Sequence, residues 1–166
     1  MADSKIKDLT AKTTVVDSDE IIINDVAGGN LDKKEGMDDI KTYMHIGITS
    51  VIEFVIDGGG AALTTGVKAY LEIPFGCTIN RVTMLADVSG SAVVDIWNDT
   101  YANYPPTDAD TITASAVPTI STATKSQDST LTGWTTTITA GDILAFNVDS
   151  ATTITKLTVS LKVTRT

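Results

Sequence analysis

The final segment of the chain alternates strictly between apolar and polar residues, with a period of two. The alternation covers residues 156–163, and its apolar members are Leu157, Val159, Leu161 and Val163. Successive side chains of a strand point to opposite faces, so this pattern predicts a strand with one buried face. An apolar run at residues 143–148, entered through a turn at 140–142, predicts another strand just before it.

Similar short runs, separated by turn residues, extend back to residue 47. They predict strands at residues 51–56, 67–73, 78–86, 92–97, 111–114 and 131–139. Turns are predicted at 57–60 and 87–90, where Asp, Ser and Gly cluster. Seven or eight short strands without a convincing helix predict an all-β fold, a jelly-roll-like antiparallel β-sandwich over residues 47–166. The long polar passage at 98–130 favours a Greek-key or jelly-roll crossover over a simple meander.

The first 46 residues have a different pattern, with short bursts of apolar residues between charges. Residues 20–26 predict a strand, 27–30 a turn and 38–44 a short helix. A segment of this size does not bury a core by itself. We therefore expect a small extended N-terminal arm that docks on the main domain, on sister subunits or on a larger particle. Its candidate attachment residues are apolar: Ile6, Leu9, Ile21, Ile22 and Ile23.

The charge balance is strongly acidic, with 21 acidic and 12 basic residues and a formal net charge of −9 at pH 7. This sign disfavours a nucleic acid as partner, because phosphate backbones are bound through Lys and Arg. The single cysteine, Cys77, excludes an intrachain disulfide. The first twenty residues lack the apolar run of a secretory signal, and no run of 18 apolar residues predicts a membrane span. We expect a soluble protein made in a cytoplasm, without membrane insertion.

Residue types that serve in catalysis are few and scattered. His45 is the single histidine, and no G-x-S-x-G turn accompanies it, so a hydrolytic triad is not expected. Glu53 and Glu72 could act as a carboxylate pair in glycoside hydrolysis, but both fall in predicted strands where they can simply face solvent. The sequence therefore predicts no catalytic residue and a protein that is not an enzyme.

Metal and cofactor sites are weakly indicated. Asp57, which precedes three glycines, and Asp108 with Asp110 could contact Ca²⁺ through carboxylate oxygens. Asp and Gly are also the ordinary residues of tight turns, and we favour that interpretation. The three glycines lack the ending of a phosphate-binding loop. No metal ligand and no cofactor is expected.

The strongest functional candidates are aromatic. Trp97, Tyr101, Tyr104 and Trp134 flank a polar loop rich in proline. Aromatic faces near Asp and Asn bind sugars, and they also form protein interfaces. The alternative is that the two tryptophans belong to the core or to a subunit contact, while Tyr104 and the following prolines stiffen the loop.

Two passages resemble virion proteins of tailed phages and prophages. The first, KIKDLTAKTTVVDSDEIIIND at residues 5–25, continued by 32–34 and 38–43, resembles the short leader of many phage fibre and head- or tail-appendage proteins. The second is DIWNDTYANYPPTDADTITAS at 95–115, with LTGWTTTITAGD at 131–142 and the closing strands. It is similar to a β-sandwich module of phage structural proteins. Together these passages cover most of the chain.

The resemblance implies an accessory virion protein, most specifically a capsid cement or decoration protein or a short head fibre. It implies attachment through the N-terminal arm to the major capsid protein or another virion protein, and assembly as a homotrimer. The alternative is a carbohydrate-binding receptor module of a tail fibre, in which Trp97, Tyr101 and Tyr104 stack on host surface glycans. A glycan-degrading domain is the third and least favoured interpretation.

Overall fold

The structure is a computed structural model that describes residues 20–25, 31–36 and 47–166. Its backbone divides into two units, Met1–His45 and Ile46–Thr166. In the first unit, β1 (Glu20–Asp25) pairs antiparallel with β2 (Leu31–Gly36). The predicted strand at 20–26 is thus confirmed over residues 20–25, and it carries Ile21, Ile22 and Ile23. Ile6, Leu9, His45, the predicted turn at 27–30 and the predicted helix at 38–44 lie outside the described residues.

The second unit contains seven strands, all paired antiparallel. They are β3 (Thr49–Asp57), β4 (Gly66–Ile73), β5 (Cys77–Thr100), β6 (Thr119–Asp128), β7 (Thr137–Ile138), β8 (Asp142–Thr152) and β9 (Lys156–Arg165). The order along the sheet is β3-β9-β5-β8-β4, and β6 and β7 also pair with β5. Within residues 47–166, the helical segments are two single 3₁₀ turns, Tyr101–Asn103 and Asp108–Asp110.

The long strand β5 turns this sheet into a sandwich. Its first half, residues 77–86, pairs with β9, which pairs with β3, and these strands form the first layer. Its second half, residues 91–100, pairs with β8, which pairs with β4, and these strands form the second layer. A strand that passes from one layer to the other in this way forms a corner of the sandwich. The curling brings β3 against β8, where the rings of Phe54 and Phe146 stack with centroids 4.9 Å apart. The predicted all-β, antiparallel, sandwich-like fold is confirmed.

The core between the two layers is aliphatic, as alternation in the sequence predicts. The inward residues of β9 are all fully buried, and they are Leu157, Val159, Leu161 and Val163. Strand β8 contributes Leu144, Phe146 and Val148 to the same core. Burial of each such side chain contributes about 1.5–3 kcal/mol to folding. The closing segment of the chain therefore supplies much of the core.

The predicted turn at 87–90 is wrong, because these residues continue β5. The register with β6 shifts between Leu85 and Gly90, and the register with β8 shifts between Val93 and Val94. Such bulges bend a strand without ending it. A Cβ at Gly90 would lie 2.4 Å from the carbonyl oxygen of Thr152, so glycine is required here for close packing and not for a turn.

Other boundaries also differ from the sequence-based expectation. The predicted strand at 131–139 reduces to Thr137–Ile138, and at 111–114 a single bridge joins Thr111 to Trp97. Strand β6 was not predicted, because Ile120 is the one fully buried residue among its ten and no alternation marks it. Edge strands with two polar faces leave little trace in a hydrophobic pattern.

Strand β8 is buried on both of its faces, and this positions the candidate site. Ile143 and Ala145 alternate with the core residues Leu144 and Phe146, yet they are buried as well. Residues 101–118 cross this side of the sheet, where Tyr104 contacts Tyr70 of β4. We call this crossing segment the β5–β6 connection.

Candidate functional site

Three tyrosines meet at the edge of the second layer. Tyr70 projects from β4, and Tyr101 and Tyr104 come from the β5–β6 connection. Together with Glu72 and Ile143 they line an open groove of about 400 Å³, which we call the tyrosine groove. The rings of Tyr70 and Tyr104 pack edge to face, with centroids 5.0 Å apart and an interplanar angle of 68°. The groove is of the size that small-molecule sites have, about 300–1,000 Å³.

The side chains of the groove remain available to a ligand. Tyr101 is 78% exposed and Tyr104 is 51% exposed. A tyrosine ring offers an apolar face and a phenolic tip that can donate and accept hydrogen bonds. The carboxylate of Glu72 adds an acceptor for hydroxyl or amine donors. This set of groups can stack on and hydrogen-bond a ligand, which is the chemistry of binding.

Local hydrogen bonds fix the turn that carries Tyr101 and Tyr104. The carboxylate Oδ1 of Asp99 accepts from the backbone N–H of Thr100 at 2.6 Å and from Nδ2 of Asn103 at 3.0 Å. The backbone N–H of Tyr104 donates to the carbonyl of Tyr101. The Tyr104–Pro105 peptide bond is cis. The hydrogen bonds made by Asp99 and by the backbone N–H of Tyr104 hold the 3₁₀ turn, so the exposed rings of Tyr101 and Tyr104 project from a hydrogen-bonded backbone.

A capping box holds the next turn of the connection. Oδ2 of Asp110 accepts from both the backbone N–H and the hydroxyl of Thr107, each at 2.8 Å. These hydrogen bonds lower the pKa of Asp110, with the backbone donor as the larger cause. Asp108 and Asp110 therefore belong to a capped 3₁₀ turn, as the turn interpretation predicted.

The two tryptophans lie elsewhere, each about 9% exposed. The indole Nε1 of Trp97 donates to Oδ2 of Asp95 at 2.7 Å, and that of Trp134 donates to the carbonyl of Ala116 at 2.9 Å. The structure thus brings Tyr101 and Tyr104 together and places both tryptophans in the interior. Their role within this chain is to pack and to anchor residues 111–118, which is the core alternative left open by the sequence.

Asp95 is the polar centre beneath the connection. It is 6% exposed, and its carboxylate accepts from Trp97, from the backbone N–H of Ile96 and from the hydroxyls of Thr111 and Thr113. The two threonine contacts are 2.7 Å and 2.5 Å long. A buried carboxylate requires such a full set of donors, and here they tie the connection to β5.

Tyr70 and Ile143 were not identified from the sequence as site residues, and Glu72 was considered only as a member of a carboxylate pair with Glu53. The alternation in β4 placed Tyr70 and Glu72 on its polar face, which was the available signal. These three residues lie close together because of the register of β4 with β8, in which Tyr70 pairs with Ala145 and Glu72 with Ile143. The groove depends also on the path of residues 101–104, which no periodicity encodes.

The other candidates have structural surroundings. Asp57 accepts from the backbone N–H of Gly59 at 2.9 Å and forms an ion pair of 3.1 Å with Lys156, and these contacts lower its pKa in that order. Glu53 and Glu72 lie on β3 and β4, the two ends of the sheet order. Cys77 is buried, and burial raises its pKa. Across the described residues, no three His, Cys, Asp or Glu side chains are grouped as metal ligands.

A second groove of about 380 Å³ lies on the outer side of the first layer. Its lining consists of Thr83 and Leu85 of β5 with residues 125–127 of β6, and it contains no aromatic ring. This groove is therefore comparable in size to the tyrosine groove but different in chemistry, which makes it a natural control.

Comparisons of the chain with protein-family models and with curated proteins give no match. In the part of the chain that the structure describes, no helix is both long and apolar enough to cross a membrane.

Proposed function

We propose that this protein is a structural accessory protein of a phage virion, most specifically a capsid cement or decoration protein or a short head fibre. The observation that carries the proposal is the tyrosine groove, an exposed set of binding groups, together with the finding that no three His, Cys, Asp or Glu side chains of the described residues are grouped as metal ligands. Two of its three tyrosines, Tyr101 and Tyr104, lie within the passage at 95–115 that resembles phage structural proteins.

In this proposal the N-terminal arm attaches the sandwich to the particle. Its partners are the major capsid protein or another virion protein, and other copies of the chain in a homotrimer. The protein acts by binding and not by catalysis. It is located in the virion, without contact to nucleic acid and without insertion into a membrane.

Immunoelectron microscopy of the parent particle, with antibodies against residues 47–166, tests this function. Label on the capsid supports decoration, and label on the tail supports a fibre. Particles that carry no label would refute the virion assignment. A variant lacking residues 1–46 tests the arm: it should keep the tryptophan fluorescence of the sandwich and lose particle binding, whereas unchanged binding contradicts the role of the arm.

A second candidate function is carbohydrate binding, which the exposure of Tyr101 specifically favours. Sugar rings stack their apolar faces on aromatic side chains, and Glu72 lies within the same groove to accept hydroxyl hydrogens. In this version Tyr70 replaces Trp97 as the third ring, because Trp97 is buried.

A glycan array with the purified chain separates the two candidates. Carbohydrate binding predicts signals that fall at least about tenfold for Tyr101→Ala, a loss of about 1.4 kcal/mol. The matched control is Leu85→Ala in the second groove, which should leave them unchanged. A flat array with the wild-type chain would favour the purely structural function.

A further inference from the structure

The outer side of the first sandwich layer differs in charge from the rest of this acidic protein. It consists of the outward side chains of β3, β9, residues 81–87 of β5 and residues 125–127 of β6, and we call it the basic face. Residues 47–166 contain six Lys and Arg and eleven Asp and Glu. Four of those six basic residues belong to this face, namely Arg81, Lys125, Lys156 and Lys162.

The face also carries three acidic residues, Glu53, Asp57 and Asp87. The register places Asp57 opposite Lys156, with which it is paired at 3.1 Å, and Asp87 accepts from the backbone N–H of the same lysine. Lys162 lies beside Arg81 of β5. Four basic residues against three acidic ones leave one positive charge in excess, toward the end of the face that holds Arg81 and Lys162, within a chain of net charge −9.

The outer side of the second layer has the opposite sign. It carries Glu72 and Asp99, and the β5–β6 connection adds Asp108. Near it, burial is the first cause that raises the pKa of Asp149, and the negative charges of Asp95 and Asp108 raise it further. The sandwich is thus electrically polar, with a basic face on one side and an acidic face on the other.

The basic face is also partly apolar. Val51, Val55 and Leu85 are each about half exposed, at 53%, 48% and 49%. Val55 and Leu85 flank Thr158 in neighbouring strands, so they form one continuous row across β3, β9 and β5. The groove beside Leu85 continues this row to Lys125. Exposed aliphatic side chains within a charged rim are typical of protein interfaces.

We propose that the basic face binds the acidic face of a second copy of this chain. A two-fold contact of the basic face with itself would place like charges opposite each other, whereas a head-to-tail contact pairs opposite charges. Repeated head-to-tail contacts form a closed ring when the rotations between successive copies add up to a full turn, and an open stack when they do not. The inference rests on the proposed function only in the expectation of several copies per assembly.

The size of the face sets the strength of the contact. The strand pieces of the face together contain about 24 residue steps of 3.3 Å on strands spaced about 4.8 Å apart, so they cover about 400 Å² per copy. A contact of this area buries about 800 Å² in total, which is below the standard size of specific interfaces and typical of weak, transient contacts. The association is therefore concentration-dependent, and salt weakens it because it depends on exposed charges.

Sedimentation velocity of the full chain over a range of concentrations tests the inference, at about 0.02 M and about 1 M salt. We expect assemblies at low salt that dissociate at high salt. Lys162→Glu should weaken assembly by about tenfold or more, because it reverses a positive charge next to Arg81, where the excess charge of the face lies. Val55→Thr, which keeps the shape of the side chain, should weaken it independently of salt.

Lys68→Glu tests the acidic face, because Lys68 alternates with Tyr70 and Glu72 along β4 and its reversal adds negative charge there; in the wild type it donates to Thr64 and to the carbonyl of Thr65. The variant should leave assembly unchanged or tighter. A monomer at every concentration in low salt overturns the inference. Assembly that survives in Lys162→Glu also overturns it but leaves the homotrimer standing, with another surface as its contact. A monomer that binds polyglutamate through Lys162 would assign the face to a different acidic protein.

Discussion

Asp95 connects the interior of the sandwich to the segment that carries the tyrosine groove. Its carboxylate receives hydrogen bonds from β5 itself and from Thr111 and Thr113, which begin the return of the connection toward β6. A buried carboxylate without donors would be strongly destabilising, so these contacts are mutually dependent. The geometry of the groove therefore depends on a residue that no ligand would touch.

We expect Asp95→Asn to lower the free energy of unfolding by about 2 kcal/mol, because hydrogen bonds to a charged acceptor contribute about 1.5–3 kcal/mol. The amide also points donors at the indole Nε1 or at the threonine hydroxyls. Urea unfolding followed by tryptophan fluorescence measures the loss, since Trp97 is a direct partner. Asp108→Asn, on the exposed turn, should change stability by less than about 0.5 kcal/mol. Equal losses in the two variants would contradict the network.

A second carboxylate makes stability depend on acid. Asp87 accepts from the backbone N–H groups of Thr155 and Lys156 at 3.1 and 3.0 Å, and from the hydroxyl of Thr155. These contacts, with the hydroxyl as the largest cause, lower its pKa from 3.8 to about 2. The folded pKa is below the unfolded one, so the stabilisation is complete above about pH 5 and is lost as the pH falls through about 2.

The urea midpoints of the wild type and Asp87→Asn should therefore differ most near neutral pH. The difference should shrink below about pH 4 and vanish near pH 2. Thr155→Val, which removes the hydroxyl donor, should show a smaller version of the same trend. A difference that stays constant from pH 7 to pH 2 would exclude Asp87 as the origin.

At the residue scale the sequence singles out Trp97, Tyr101, Tyr104 and Trp134 but not where each one lies. Tyr101 and Tyr104 follow the end of β5 within a polar passage, and both are exposed. Trp97 occupies the outward side of the same strand. It is buried because the connection folds back over it, a tertiary event that strand periodicity does not contain.

At the scale of elements, β5 decides the architecture. The letters DVSG at 87–90 have the composition of a turn, and a turn there would give two separate strands. The chain instead bends through bulges. Asp87 accepts a hydrogen bond from the backbone of β9, and Gly90 lets β8 pack closely because it has no Cβ. Composition cannot distinguish these cases, because both require a small residue and a hydrogen-bonding acid. Apolar alternation marks β3, β4 and β9, and these strands were predicted correctly. Strand β6 has no such alternation, and it was therefore missed.

Gly90→Ala tests the bend directly. Its Cβ would lie within 2.4 Å of the Thr152 carbonyl and of the Thr153 hydroxyl oxygen, and within 2.8 Å of Ile154. We expect a loss of about 1–3 kcal/mol in the free energy of unfolding, the usual range for overpacking. Ser89→Ala at the neighbouring exposed position is the control and should be nearly neutral. If Gly90→Ala leaves the free energy of unfolding unchanged, the backbone at this corner can shift to accommodate the added Cβ.

At the scale of the whole molecule, the net charge does not show that the basic residues are distributed unevenly over the sandwich. A chain of −9 is expected to repel its copies, yet alternation and register collect most basic residues of the sandwich on one face. No linear reading of the sequence finds this, because Arg81, Lys125 and Lys162 are separated by dozens of residues. They become neighbours only when β5, β6 and β9 adopt their order in the sheet. The same applies to the tyrosine groove, which joins β4 to the end of β5.

The closure of the sandwich also depends on a contact between distant elements. Phe54 of β3 and Phe146 of β8 are not paired by backbone hydrogen bonds, and their stacked rings join the two layers. Phe146 is fully buried, so Phe146→Ala should cost about 3–5 kcal/mol, from lost transfer energy and the cavity left behind. Phe54→Ala should cost less, because Phe54 is only partly buried. In a double-mutant cycle the two losses should fall short of additivity by about 0.5–1.5 kcal/mol, the coupling of an aromatic pair. Equilibrium urea unfolding of the four proteins measures this coupling. Strict additivity would mean that the aliphatic core alone joins the two layers, and that the stacked pair adds packing without coupling β3 to β8.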